Sequence, residues 1–293
     1  MNRTYHFISG LPRSGSTLLS SILKQNPRFT AGISNPIAMY CDGIIRDTHI
    51  GAGLGSTVSI DKRKDIIRGI FDSFYNNETD VCFNTNRGWA GNTSLLSELY
   101  PNFKMIVCVR EIPWILDSFE NLNNKNPFTI KPLYNHQQLS SVYERTHMLM
   151  GNFNNNPGFV SGPLSHVQQS VYSNERNHIC YVEYDALVKS PDSTMKQLYK
   201  FLDEPWFEHD YENVEDSYDE FDEQANIIGL HDIRKKVEYK ERTSILPTDL
   251  WNQYDQTSFW KHNPAIKKDL NWITHNTMPF FSNTSKNRIN KQL

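Results

Sequence analysis

Cysteine is scarce in this chain of 293 residues, and neither sign of charge prevails. The four cysteines, Cys41, Cys82, Cys108 and Cys180, are scattered, and the last three lie in apolar runs. They read as buried free thiols of a reducing compartment rather than as a disulfide framework or a metal cluster. No stretch approaches the roughly 20 apolar residues that cross a bilayer. The chain runs from Met1 straight into a strand-like segment, without the basic stretch and apolar core of a secretory signal, so a cytoplasmic location is expected. Thirty basic residues against 33 acidic, a formal net charge of −3, supply no general attraction to DNA, RNA or an anionic membrane. No nucleic-acid or membrane partner is expected, and any anion site must be local. Internal repeats are absent. The acidic block Asp203–Glu223 lacks the D-x-[DN]-x-[DN]-G loop of an EF-hand, which argues against calcium.

Hydrophobic residues make up 38% of the sequence, enough for the core of one large domain, expected over residues 1–293 with a flexible tail at 285–293. Four short apolar runs read as buried strands: Tyr5–Ser9, Asp80–Asn84, Phe103–Val109 and His178–Glu183. Each precedes a segment of helical periodicity, Thr17–Lys24, Ser94–Tyr100, Pro113–Asn121 and Asp192–Phe201. Strands alternating with helices imply an α/β fold with a parallel sheet covered on both faces. The cluster "GNFNNNPG", Gly151–Gly158, reads as a surface loop. Between Asp203 and Glu223 stand eleven acidic residues and no Lys or Arg, which reads as a solvated face; five basic residues follow in "HDIRKKVEYKER", His231–Arg242.

The first strand-like run leads into "FISGLPRSGSTL", Phe7–Leu18. Gly10 and Gly15 keep the spacing of the phosphate-binding loop G-x-x-x-x-G-K-[ST], in which backbone N–H groups wrap phosphates. Ser16 stands where the lysine belongs, and the cation is Arg13. A strand, a glycine turn and a helix near Ser16 bring unpaired N–H groups and a positive helix end to one spot. The hydroxyls of Ser14, Ser16 and Thr17 add donors, and Arg13 supplies a planar charge that can fork onto two oxygens. A nucleoside triphosphatase also needs Mg²⁺, held partly by an acid at the end of a neighbouring strand. The strand "FKMIVCV" ends instead in Arg110, so the ligand is expected to be an anion-rich nucleotide bound without metal.

"LPRSGST" resembles the 5′-phosphosulfate loop of sulfotransferases, whose donor is 3′-phosphoadenosine 5′-phosphosulfate (PAPS). That family also carries an Arg at a strand end and a Ser eight residues later for the 3′-phosphate, and Arg110 and Ser118 match this spacing. "NTNRGW" (Asn84–Trp89) and "VEYDALVKSPDSTMKQLYKFLDEP" (Val182–Pro205) extend the resemblance towards a bacterial and cyanobacterial group that includes natural-product tailoring enzymes. The resemblance implies a P-loop-type parallel β-sheet flanked by helices on both faces. The implied activity is a PAPS-dependent transfer to a hydroxyl or amine, with a small-molecule acceptor and no metal. Arg13 is then the candidate for the leaving-group charge, with Ser14, Gly15, Ser16 and Thr17 on the 5′-phosphate and Arg110 and Ser118 on the 3′-phosphate. Arg234, Lys235 and Lys236 resemble the late loop that closes over the donor. Asn86 and Arg87 follow the second strand and face the same crevice, towards sulfuryl group or acceptor. Trp89 could stack on a ring or fill the core.

No residue stands out as the general base. After the second strand the chain offers Thr85, Asn86 and Arg87, none a good base at neutral pH. Asp42, Asp47 and His49 follow the first helix, and His231 opens the late basic stretch; all four are of the types that serve as bases. A nucleotide kinase or NTPase with a degenerate loop, or a non-catalytic nucleotide-binding protein, are the rival readings. The acceptor and the oligomeric state are not legible.

Overall fold

Every residue of Tyr5–Gly10 is buried, on whichever side of the strand it points. Burial of both faces is what a strand inside a helix-covered parallel sheet requires. This computed structural model describes residues 3–128, 134, 139–152 and 156–275. The tail expected at 285–293 lies outside them, as do residues 153–155 of the asparagine-rich loop.

In chain order the elements are β1 (Thr4–Gly10), α1 (Ser16–Leu23), β2 (Phe29–Thr30), α2 (Ile37–Thr48), α3 (Ile60–Phe74), β3 (Val81–Thr85), α4 (Thr93–Leu99), β4 (Met105–Val109) and α5 (Ile112–Lys125). There follow α6 (Val142–Met150), β5 (Gly151–Asn152), β6 (Asn156–Pro157), α7 (Ser161–Val171), β7 (Ile179–Glu183), α8 (Tyr184–Lys189) and α9 (Pro191–Leu202). Last come α10 (Asp219–Gln224), α11 (Thr248–Asp255), α12 (Phe259–His262) and β8 (Asn271–Ile273). The four expected strands and their four helices are all present, and only α5 runs on appreciably, to Lys125. Within the segment expected to be a loop, Gly151 and Asn152 pair antiparallel with Pro157 and Asn156.

Six strands form one sheet in the order β2-β3-β1-β4-β7-β8, with every pairing parallel. Tyr5, Phe7, Met105, Val107 and Tyr181 face α2, α3, α4 and α5 on one side. Ile8, Phe83, Ile106, Cys108 and Val182 face α1, α8 and α9 on the other. The α/β class with helices on both faces is therefore as the alternation of elements implies. All four cysteines are buried free thiols, and burial pushes Cys108 up to about 12. Among the described residues no helix is long and apolar enough to cross a membrane.

Because β1 lies between β3 and β4, the chain builds to one side of β1 and then crosses over it to begin β4. Open α/β sheets bind ligands in the crevice at such a switch point, beyond the carboxyl ends of the strands. The acidic block is not merely a solvated face. Val214 N–H donates to Lys235 O (2.7 Å) and Val237 N–H to Tyr211 O (2.8 Å), so residues 211–214 and 235–237 run as a strap. Its carboxylates grip basic side chains: Glu204 pairs with Arg28, Asp216 with Lys24, Glu212 with Lys236 and Glu215 with Lys235.

Candidate active site

The loop after β1 is fitted to its sequence atom by atom. Gly10 has φ +119°, and a Cβ there would stand 2.1 Å from the Cys108 carbonyl oxygen, so only glycine fits beside β4. Gly15, φ +94°, caps α1 with no side-chain capping bond and no acid in the first turn, which leaves the first-turn amides for a ligand. Arg13 itself adopts φ +57°, the left-handed region that costs a non-glycine residue about 1 kcal/mol. A strained residue carrying a half-buried charge is the pattern of a site whose surroundings hold it in place.

Ser14 behaves differently from expectation. Its hydroxyl is buried and turned inward, 2.5 Å from Leu11 O and 3.0 Å from Cys108 O, so it staples the loop to β4 and is not free to meet a phosphate. Gly15, Ser16 and Thr17, the next residues of the loop, do line the cavity.

Arg13 reaches across the crevice. Its Nε donates to Ser118 Oγ at 3.0 Å, and Nη1 donates to the Leu230 carbonyl. Arg110, just past β4, donates from Nη1 to the Arg13 carbonyl at 3.2 Å, with its guanidinium 4.1 Å above the Tyr184 ring. Arg87, past β3, lies over the Phe159 ring at 4.3 Å. Among the described residues no carboxylate pairs with Arg13, Arg87 or Arg110. Burial pulls all three below the ordinary arginine value. Arg87 falls to about 10, with the Arg13 charge as a further cause. Arg110 also falls to about 10, where Tyr184 offsets part of the burial cost and Arg242 and Arg13 add to it. Arg13 moves the same way, with Tyr184, Asp232 and Asp222 opposing. All remain cations at neutral pH.

These side chains line one cavity of about 540 Å³. It brings together Arg13, Gly15, Ser16, Thr17, Asn86, Arg87, Arg110, Ser118, His231, Arg234 and Lys236 from loops far apart in sequence. Lys235 is not among them: it is exposed and pairs with Glu215 at 2.8 Å. Asp42 and His49 also lie away from the cavity. Helix α2 buries Ile37, Ala38 and Cys41, which leaves Asp42 and the C-cap His49 exposed; Asp47 pairs with its neighbour Arg46 at 3.0 Å. Trp89 is core, 1% exposed, with its indole N–H donating to Asn84 Oδ1 at 2.8 Å.

Of the four base candidates only His231 lines the cavity. Its Nδ1 lies 2.5 Å from Asp222 Oδ1, and its backbone N–H donates to Asp222 Oδ2 at 2.8 Å. Burial lowers the His231 pKa from its ordinary value; Asp222 opposes that shift, and Arg87 and Arg13 reinforce it. The ring is therefore neutral at pH 7 and able to accept a proton. The sequence reading missed Asp222, Tyr184 and Arg242. Tyr184 had a signal, its place directly after a strand. Arg242 lines the cavity too, pairing with the buried Asp117 at 2.8 Å and lying 4.9 Å from the Trp114 ring.

A parallel sheet with a glycine loop opening a helix, beside three half-buried arginines that have no carboxylate partner among the described residues, is the architecture of an α/β protein. The model of the sulfotransferase family matches residues 58–208, just over half of the chain, and the chain belongs to that family. A sulfotransferase from Alicyclobacillus acidocaldarius shares the fold at 13% identity, covering 91% of this chain and 94% of its own, with a TM-score of 0.51. A mouse sulfotransferase complexed with PAP is similar at 11% identity, 89% and 84% coverage and a TM-score of 0.50. The sulfotransferase domain from the curacin biosynthetic pathway matches more loosely, at 15% identity, 71% and 76% coverage and a TM-score of 0.45. No curated protein matches the sequence significantly.

Proposed function

We propose that the chain moves a sulfuryl group from PAPS to a hydroxyl or amine of a small-molecule acceptor. The observation that carries this reading is the set of three half-buried arginines around one cavity, none with a carboxylate partner among the described residues. Charge partly withdrawn from water is costly unless paired, so the half-buried cations of Arg13, Arg110 and Arg87 await anionic groups supplied by a ligand. The donor has such groups at two ends. The loop amides with Ser16 and Thr17 hold the 5′ end, and Arg110 with Ser118 holds the 3′-phosphate. Ser118 accepts from Arg13 Nε and keeps its own hydroxyl hydrogen to donate onward. Arg234 and Lys236 cover the site from the late strap.

Sulfuryl transfer resembles phosphoryl transfer in that positioning and fixed positive charge do most of the work. Arg13 stabilises charge growing on the oxygen of the leaving phosphate. Arg87 and Asn86 lie at the end of β3, where they meet the sulfuryl oxygens or the acceptor. His231 takes the acceptor proton. A cavity of about 540 Å³ is of the size that takes small molecules. A triphosphatase would need an acid at the end of β4, where Arg110 stands.

Calorimetry tests the reading directly. The desulfated product PAP should bind without Mg²⁺ and ATP weakly, and incubation with PAPS and acceptor mixtures should add the mass of one SO₃ group. A preference for Mg-ATP overturns it.

A further inference from the structure

His231 occupies an awkward place for a base. It lies close enough to Arg87 and Arg13 for both charges to disfavour its protonation, yet a base must become positive as it takes a proton. A third group of opposite charge is needed, and the fold supplies one. Asp222 on α10 is 2% exposed, and both its oxygens are spent on a single residue, Oδ1 on the imidazole and Oδ2 on the backbone N–H of His231. The rings of Tyr218 and Phe221 stand edge-on to the imidazole at 6.0 and 5.5 Å. A carboxylate can only accept, so Nδ1 carries the proton of the neutral ring and Nε2 holds the free lone pair.

Resting on the sulfotransfer reading, we propose that Asp222 is the positioning residue of the reaction, fixing His231 in the tautomer whose Nε2 is the base and stabilising the imidazolium that forms. The step balances without a further reactant. Nε2 removes the proton of the acceptor hydroxyl, the acceptor oxygen forms its bond to sulfur, and the bond between sulfur and the phosphate oxygen breaks. The leaving phosphate keeps that electron pair, and Asp222 keeps its charge throughout. Of the charged groups around the imidazole, Asp222 favours its protonation and Arg87 and Arg13 oppose it, with Asp232 also lining the cavity.

The test uses the full chain and needs no knowledge of the acceptor. Nitrogen NMR of the histidine-labelled wild type should find the neutral His231 proton on Nδ1. In Asp222→Asn the proton should move in part to Nε2, and the ring should titrate at lower pH, because the charge of Asp222 that favours imidazolium is gone. Slow hydrolysis of PAPS, with water as acceptor, should fall by roughly 10²–10⁴ in rate. Its acid limb should shift to lower pH while calorimetric PAP affinity stays unchanged, and Asp222→Glu should recover part of the rate. A wild-type proton on Nε2, or an Asp222→Asn protein with unchanged tautomer and unchanged acid limb, overturns the proposal. Wild-type measurement alone decides if the variant fails to fold. Absence of PAP binding by the wild type would instead sink the donor reading.

Discussion

Two arginine environments adjoin α5, one buried and one half-buried, and they differ in how the charge is met. Behind the helix, Arg145 meets Glu120 through two bonds of 2.6 and 2.9 Å and adds a third to Leu139 O at 2.8 Å. In front of it, among the described residues, Arg13, Arg87 and Arg110 meet carbonyls, a hydroxyl and aromatic faces rather than a carboxylate. The first arrangement is self-sufficient, since charge, hydrogen bonds and geometry all close within the protein. The second is incomplete. Half-buried charge without a carboxylate is open to a ligand, whereas the same residue type closed by a carboxylate needs none.

That contrast can be broken by mutation. The largest effect is expected at Arg13: Arg13→Gln should lower sulfuryl turnover by about 10²–10³, the usual loss for one donor aimed at developing charge, with little change in melting temperature. Steady-state kinetics alongside thermal unfolding checks it, and a variant that melts early but turns over normally would reverse the assignment. Next comes Glu120→Ala, which strands the Arg145 guanidinium. A loss of about 3 kcal/mol in urea unfolding is expected, with PAP affinity retained. Arg110→Ala should have the smallest effect, about 1.5–3 kcal/mol of PAP binding. It should leave AMP, which lacks the 3′-phosphate, bound as before. Equal losses for both nucleotides would show that Arg110 supports the loop rather than reading the 3′-phosphate.

Much of the architecture was legible because it is local. Runs such as "MIVCV" can be buried on both sides only in a helix-covered sheet, and the glycine spacing marks the turn that opens α1. The short edge strands β2 and β8, of two and three residues, carried too little pattern to be read. The site was legible where a residue follows a strand, as Arg110 and Arg87 do, because the carboxyl ends of parallel strands face one crevice. The sequence could not show that the Ser14 hydroxyl serves the loop, or that Asp42 and His49 lie exposed on and beside α2. Nothing in a linear pattern says which face of α2 the fold will bury. Asp222 was hidden for another reason: it is one acid of eleven in its block, and only packing separates it from the rest.

The sequence by itself determined the sheet, the phosphate-shaped loop after β1, and two arginines at strand ends, because those depend on residue order over one or two elements. The tertiary structure alone decided which acid grips His231, which serine is spent on the loop, and which arginines go without a partner. Those are meetings between segments as much as 217 residues apart, as in Arg13 with Leu230. Contacts of that kind arise from how helices pack on the sheet, and no local pattern encodes them.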